Sequence, residues 1–323
     1  MQIKKIAVTK AMRIYPVEDL NRSIHLAEGA IDRQILIDHN HDGLIATTTG
    51  EELLFCDATF KDNIDRMKRK AAIIIPKDIG FLIADVGLTK DSIVLEAGSG
   101  SGSATCQLAA VCKKVYSYDI HPDHVKVTRE NCVRMDFDNV ICEEQDITTL
   151  EPIEQVDFVL IDMPDPVLAI PTIHKALKQG GFVAFYTPHI NQAQAVVAAL
   201  GDDFKFLTTL ELIQRRWEVN DKQLRPKHAM LGHTAFLTIA RIFRRWFDMQ
   251  AYILVNTEKS LEQDMYDKIQ DLEEVSIANI IFGEWDIIVK VNIENSEALG
   301  TLILDKIRSI KGVTLTSTLI VAK

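Results

Sequence analysis

The chain has 323 residues, 47% of them hydrophobic and 25% charged, with 36 Lys and Arg against 46 Asp and Glu for a formal net charge of -10. That is the composition of a globular chain with material for two or three domains, and it excludes a disordered chain and a broadly basic protein that coats nucleic acid, though not a local basic patch. No apolar run approaches the roughly 20 residues of a membrane helix. The opening stretch lacks the apolar core of a signal peptide, so a cytoplasmic location is expected. Five cysteines (Cys56, Cys106, Cys112, Cys132, Cys142) contain no Cys-x-x-Cys. They read as buried thiols, with one intersubunit bridge as the alternative, rather than as a zinc site; no metal is expected.

Residues 1–75 lack a helical period. Gln34 to Asp38 and Leu44 to Thr48 are β-rich runs about an Asp42-Gly43 turn signal, and 53–56 reads as a further strand, so a small β domain is expected there. Residues 76–246 alternate strands and helices. Strands are expected at 92–96, 114–118, 139–142, 156–161, 181–186, 206–213 and 233–241, and helices at 103–112, 122–135, 169–178 and 191–200. This alternation implies an α/β, Rossmann-like domain with a mostly parallel sheet and an antiparallel final pair. Residues 247–323 change pattern to βαββαβ, the order of a ferredoxin-like α+β module. That segment carries 13 acids against 7 bases, a net of -6, so the acidity is concentrated there.

Val94-Leu95-Glu96-Ala97-Gly98-Ser99-Gly100-Ser101-Gly102 is the most informative stretch. A strand enters a loop of small residues and a helix follows, the layout of a nucleotide-type site. The dinucleotide fingerprint G-x-G-x-x-G is absent, because position 103 is Ser. An acid at the strand end followed by G-x-G-x-G is the arrangement of S-adenosylmethionine (AdoMet) methyltransferases. Glu96, Gly98, Ser99, Gly100, Ser101 and Gly102 are therefore candidates for AdoMet binding. Asp119 closes the next strand, 21 residues after Gly98, where a carboxylate can accept from both ribose hydroxyls. Asp146, after the third strand, stands where such folds contact the adenine amino group; a turn cap is its alternative role. Asp162 lies at the end of the fourth strand in Ile161-Asp162-Met163-Pro164-Asp165-Pro166. Carboxyl ends of strands face the ligand in doubly wound sheets, so Asp162 is the candidate catalytic carboxylate, with capping of its loop as the alternative.

Arg215-Arg216-Trp217, Leu224-Arg225-Pro226 and Gly232-His233-Thr234 enclose the densest basic region of an otherwise acidic chain. Cations beside an indole suit a phosphate backbone and a splayed base, which makes Arg216, Trp217, Arg225, His233 and Thr234 candidate substrate contacts. The alternative is a solvated hairpin with a core tryptophan and a structural histidine.

Four motifs now stand in order: Arg69-Lys70-Ala71-Ala72 through Pro76-Lys77-Asp78, the 94–102 loop, the 161–166 loop, and 216–237. Together they resemble the tRNA (adenine-N1)-methyltransferases over about residues 20–242. The resemblance implies a small N-terminal β domain and a Rossmann-like methyltransferase domain, AdoMet as cofactor and tRNA as substrate. It further implies methylation of N1 of an adenine in the T-loop, Asp162 as the key active-site carboxylate, and assembly as a homo-oligomer. Two positions depart from the pattern: Ile75 and Val167 stand where the family usually has aromatic residues that help hold the adenine. The tail (Ala251-Tyr252-Ile253-Leu254-Val255-Asn256, Gly283 to Val291, Ile310 to Thr318) resembles the ligand-sensing domain of Lrp/AsnC-type regulators. That likeness implies dimerisation through sheets and an amino-acid effector, around Gly283 and Asp286, or an assembly module with no ligand. No helix-turn-helix precedes it, so DNA is not an expected partner. Two other readings remain open at this point: a non-catalytic AdoMet or amino-acid sensor, and a methyltransferase for protein or small molecules.

Overall fold

The computed structural model describes residues 3–39, 41–244, 249–293 and 295–321. The chain falls into two compact units, Met1–Phe243 and Arg244–Lys323. The boundary expected at 246/247 lies outside the described residues.

The first unit opens with β1 (Lys5–Val8), β2 (Ile14–Val17), β3 (Ile24–Leu26), β4 (Gly29–Ile31), α1 (Arg33–Asp38), β5 (Gly43–Ala46), β6 (Glu52–Asp57) and α2 (Phe60–Asp65). An antiparallel sheet of order β2-β1-β6-β5 closes over Ala7, Val17, Leu36 and Phe55, and β3-β4 forms a separate hairpin. The strand expected at 34–38 is instead helix α1. It buries only Leu36, and six residues are too few for a period to separate helix from strand.

α3 (Pro76–Asp85) leads into β7 (Ile93–Ala97), α4 (Ser103–Ala109), β8 (Lys114–Asp119), α5 (Pro122–Arg134), β9 (Val140–Glu144), β10 (Val156–Ile161), α6 (Ile170–Ala176), β11 (Leu177–Thr187), α7 (Ile190–Ala199), β12 (Phe204–Leu210), the hairpin β13 (Trp217–Asn220) and β14 (Gln223–Pro226), and β15 (Phe236–Ile242). The sheet order is β12-β15-β11-β10-β7-β8-β9. β7 to β11 pair in parallel, and β15 runs antiparallel to both β11 and β12, as the spacing of the last strands predicts. Both faces are buried. Leu95, Val159 and Phe185 face one core while Val94, Phe158 and Leu160 face the other, so these strands read as continuous apolar runs. The chain goes outward from β7 to β9 and then returns to place β10 on the other side of β7. Strand order reverses between β7 and β10, which is where open α/β sheets bind their ligands.

The second unit is β16 (Met249–Thr257), α8 (Glu262–Gln270), β17 (Val275–Ile280), β18 (Ile287–Ile293), α9 (Ser296–Thr301) and β19 (Val313–Ile320). Its antiparallel sheet has the order β17-β18-β16-β19, the ferredoxin-like arrangement. Alternate residues Ala251, Ile253, Val255, Ile287, Val289 and Val291 are buried with Met265, Ile269, Leu299 and Leu302 of the helical layer.

Candidate active site at the carboxyl ends of β7, β8 and β10

A cavity of about 340 Å³ opens at the strand reversal. It falls at the lower end of the roughly 300–1,000 Å³ of small-molecule sites. Gly98, Gly100, Asp119, Asp146 and Asp162 all contribute to its wall, so the structure brings together five of the candidate residues.

The loop is shaped by close backbone approach. Gly98 has φ +93°, and a Cβ built there would stand 1.8 Å from the carbonyl oxygen of Asp162. Asp162 N–H in turn donates to Ala97 O at 2.9 Å. The glycine loop and the Asp162 loop are thus held against one another, and only glycine fits between them. Gly98 and Ser99 N–H both donate to Tyr118 O, which ties the loop to β8 as well.

Asp119, at the end of β8, accepts from Gly100 N–H at 2.9 Å and His121 N–H at 2.9 Å, and meets His124 Nδ1 at 3.2 Å. Asp146 both lines the cavity and caps the short 3₁₀ turn Ile147–Thr149, its Oδ1 accepting from Thr148 N–H and Oγ1 at 2.8 Å. The turn cap is thus formed, and Asp146 also stands in the cavity wall where an adenine contact is expected. The Asp162 carboxyl receives no hydrogen bond from the described residues. Burial, and then the charge of Asp119, raise its pKa to about 6.

Other candidates are placed elsewhere. Glu96 is 1% exposed and does not reach the cavity. Its Oε2 accepts from Thr105 Oγ1 at 2.5 Å and Ser117 Oγ at 2.8 Å, beneath the loop. Burial raises its pKa to about 7. Glu96 thus supports the loop from beneath, where the hydroxyls of α4 and β8 turn it inward. Ser101 Oγ accepts from Lys70 and Ala71 N–H at 2.9 Å and donates to Ala71 O, fastening the segment before α3 over the loop. Gly102, at φ +77°, packs on Thr128, and Ser99 Oγ is buried without a partner.

The basic region also divides. His233 uses both ring nitrogens, Nδ1 with Glu211 at 2.9 Å and Nε2 with Pro188 O at 3.0 Å. The Glu211 carboxylate holds its pKa above the ordinary value. His233 thus joins Glu211 to the Pro188 backbone. Thr234 Oγ1 accepts from Lys77 Nζ at 2.9 Å, and Arg225 is occupied by Glu218 at 3.1 Å and His228 at 2.7 Å within the hairpin. Trp217 is 53% exposed, so it is not a core tryptophan, and Arg216 is exposed too.

Sequence reasoning missed His121 and His124, which line the cavity where Pro122 starts α5. It also left Lys77 and Asp78 without a role. Asp78 is 1% exposed, pairs with Lys77 at 2.5 Å and accepts from Tyr186 OH at 3.3 Å. That network ties the Pro76-Lys77-Asp78 motif to Thr234 on the far side of the chain.

The donor set suits AdoMet. Three carboxylates face one cavity and favour a ligand carrying sulfonium and ammonium charges, and a glycine loop at positive φ allows close approach.

Residues 65–230 match the family described as tRNA methyltransferase complex GCD14 subunit, and residues 250–323 match the Lrp/AsnC ligand binding domain. The chain is 35% identical over 224 residues to the tRNA (adenine(57)-N(1)/adenine(58)-N(1))-methyltransferase TrmI of Methanocaldococcus jannaschii, covering 60% of this chain and 79% of that protein. It is 32% identical to the tRNA (adenine(58)-N(1))-methyltransferase TrmI of Thermus thermophilus, covering 73% of this chain and 93% of that protein. Among solved structures, a SAM-dependent O-methyltransferase from Thermotoga maritima shares the fold with a TM-score of 0.67 at 25% identity, over 75% of this chain and 93% of that one. The chain belongs to the AdoMet-dependent tRNA (adenine-N1)-methyltransferase family, carried here with an Lrp/AsnC ligand binding domain at its C-terminal end.

Proposed function

We propose that this chain methylates N1 of an adenine in the T-loop of tRNA, with Asp162 as the carboxylate that receives the base. The observation that carries this reading is the Asp162 carboxyl itself. It stands in the cavity wall against the glycine loop, with no hydrogen bond from the described residues and with its pKa raised. The relatives named above act on adenine 57 or 58 of tRNA.

Bound AdoMet supplies an electrophilic methyl group on a sulfonium. Gly98, Gly100, Asp119 and Asp146 would hold it, with Asp119 released from part of its loop bonding to meet the ribose hydroxyls. Adenine N1 already has a lone pair, so no base is needed to remove a proton first. The methyl transfer leaves the ring cationic. Asp162 accepts from the exocyclic amine, which orients N1, and its negative charge stabilises the positive charge that develops. In paired RNA N1 is engaged by its partner base, so the target nucleotide must be extruded. Ile75 and Val167 leave this chain without aromatic side chains at those two positions; Ile75 lines a neighbouring groove and Val167 a hollow beside the Asp165 loop.

The C-terminal unit assembles copies of the chain. Its helix-free sheet face carries Leu254 and Ile288 at the centre, with Leu315, Leu319 and Ile277 at 55%, 53% and 50% exposure around them. An apolar face of that kind suits sheet-on-sheet pairing between identical units. An amino-acid effector held by this unit is the finer part of the proposal. No helix of the described residues is long and apolar enough to cross a membrane.

The test is transfer of labelled methyl from AdoMet to unmodified tRNA transcripts, followed by nuclease digestion and nucleoside identification. N1-methyladenosine that disappears in Asp162→Ala supports the reading. Intact AdoMet binding with no transfer to any tRNA overturns it and favours a sensor. For assembly, Leu254→Asp should lower the mass measured by light scattering; an unchanged mass removes the sheet face as the interface.

A further inference from the structure

The segment from Arg69 to Pro76 separates two concave sites. Ala71 and Ala72 form part of the cavity wall described above, while Arg69, Ile73 and Ile75 face an open groove of about 590 Å³ on the other side. Ser101 and Ser103 bond this segment to the glycine loop, so the partition is fixed rather than draped. The groove is completed by Phe60 at the start of α2 and by Arg216 ahead of β13.

Its charges do not cancel. Lys61 is engaged by Asp65 at 2.7 Å, and Lys77 by Asp78 and Thr234. Arg69 and Arg216 are exposed, and among the described residues no hydrogen bond or ion pair reaches either guanidinium. Two free, forked cations therefore face one groove in a chain of net charge -10. Phe60 is 41% exposed and packs edge-on against Phe137, with ring centroids 6.0 Å apart, which supports its ring from behind. Guanidinium groups match phosphate oxygens, and an exposed aromatic face accepts a base of any identity.

We propose that this groove seats the nucleotide beside the target adenine in the extruded strand, with phosphates on Arg69 and Arg216 and a base against Phe60. The proposal rests on the tRNA methyltransferase reading and adds the strand's path to it. The target base itself belongs at Asp162, on the cavity side of the partition; the next nucleotide must cross it, and Ile75 is an apolar residue on the groove side of that wall. An aliphatic residue there offers no stacking face, so stacking falls to Phe60.

The experiment uses the full chain and unmodified tRNA transcript. Binding is followed by fluorescence anisotropy over a salt series, turnover by labelled methyl transfer, and AdoMet binding by calorimetry. In the double variant Arg69→Ala with Arg216→Ala, the slope of log affinity against log salt should fall by about 2, roughly one for each phosphate no longer neutralised. The KM for tRNA should rise roughly tenfold or more, far more than kcat falls, with AdoMet affinity unmoved. Phe60→Ala should weaken tRNA binding by about tenfold, and Phe60→Tyr should restore it, separating stacking from any loss of fold. Unchanged slope and KM in a double variant of an active enzyme overturn the groove and leave the reaction intact. A lowered slope in the double variant, where the wild type binds tRNA but transfers no methyl, keeps the groove and removes the reaction. A wild type that neither binds nor methylates tRNA overturns both.

Discussion

In the first unit Asp78, Glu96 and Asp119 lie at 1%, 1% and 7% exposure, among buried hydroxyls such as Thr105 and Ser117. In the second, Thr316 is the one buried polar side chain among the described residues, and the interior is aliphatic from Ala251 to Ile307. Both units use the same device of a sheet with helices packed on it, but among the described residues only the first keeps whole carboxyl side chains buried below a tenth of their exposure; in the second, Glu274 hides one oxygen while its side chain stays partly exposed. Burying a carboxyl costs stability unless its bonds are satisfied. Where the first unit meets that cost, Glu96 and Asp119 stand at the ends of β7 and β8, and Asp78 in α3 is met by Lys77 and Tyr186. The second unit instead leaves an open sheet face on which Leu254, Ile288, Leu315 and Leu319 stand, the face proposed above for contact between copies.

The largest expected effect separates these two kinds of region. Asp162→Ala should lower turnover by about 10²- to 10³-fold while AdoMet still binds, because on the proposed reading the carboxylate acts on the charge that develops during transfer. Equal losses of AdoMet affinity and turnover would make Asp162 a binding residue and blur the contrast. Next comes Gly98→Ala. A methyl group 1.8 Å from the Asp162 carbonyl cannot be accommodated at φ +93° without parting β7 from β10. Expected are loss of AdoMet binding by calorimetry and a stability loss of roughly 3 kcal/mol or more by denaturant titration. A variant that binds AdoMet normally would show that the two loops need not touch.

Much of this was legible. Strand-loop-helix order, Asp119 and Asp162 follow from where parallel strands end, and the apolar runs of β7 and β10 follow from burial on both faces. What stayed hidden depends on partners far along the chain. The Lys5 side chain is buried in β1 because Asp57 and Asp42 reach it at 2.7 and 3.3 Å, so a strand with a charged first residue was not recognised. Glu96 looked like a ligand contact because a motif places an acid at the strand end; its direction is set by Thr105 and Ser117, which the motif does not contain. His233 was distinguishable from a substrate contact only once Glu211 and Pro188 were seen to hold both nitrogens.

Glu96 gives a smaller and more particular test. Its pKa is raised by burial from the ordinary 4.5 to about 7, so the folded chain holds a proton there that the unfolded chain has released. Between those values stability falls as pH rises, and above about pH 7 the buried charge is carried in full. Glu96→Gln has no such charge. The difference in melting temperature, variant minus wild type, should therefore climb from pH 4.5 to about 7 and then level, by an amount corresponding to a few kcal/mol at most. A flat difference across that window would mean that Thr105 and Ser117 compensate the ionised form completely.

The smallest effect is the pH profile of transfer. On the proposed reading Asp162 must be ionised to accept from the adenine amine and to oppose the ring's positive charge, and in the free protein burial and Asp119 raise its pKa to about 6. The quantity kcat/KM for AdoMet reports groups of the free enzyme. It should be level above pH 7, halve near pH 6 and fall about tenfold for each further pH unit, a change of about 1.4 kcal/mol in the barrier per unit. The direction follows from the cause: burial and the Asp119 charge both favour the protonated form, so acid removes the working carboxylate earlier than it would at an exposed aspartate. Asp162→Asn removes the titration, leaving a low and flat profile over the same range. Replacing Asp119 by Asn should move the wild-type limb toward lower pH, since one of the two causes is gone. If the limb stays in place while AdoMet affinity drops, burial alone sets the Asp162 pKa, and the two carboxylates share a cavity without sharing a charge effect.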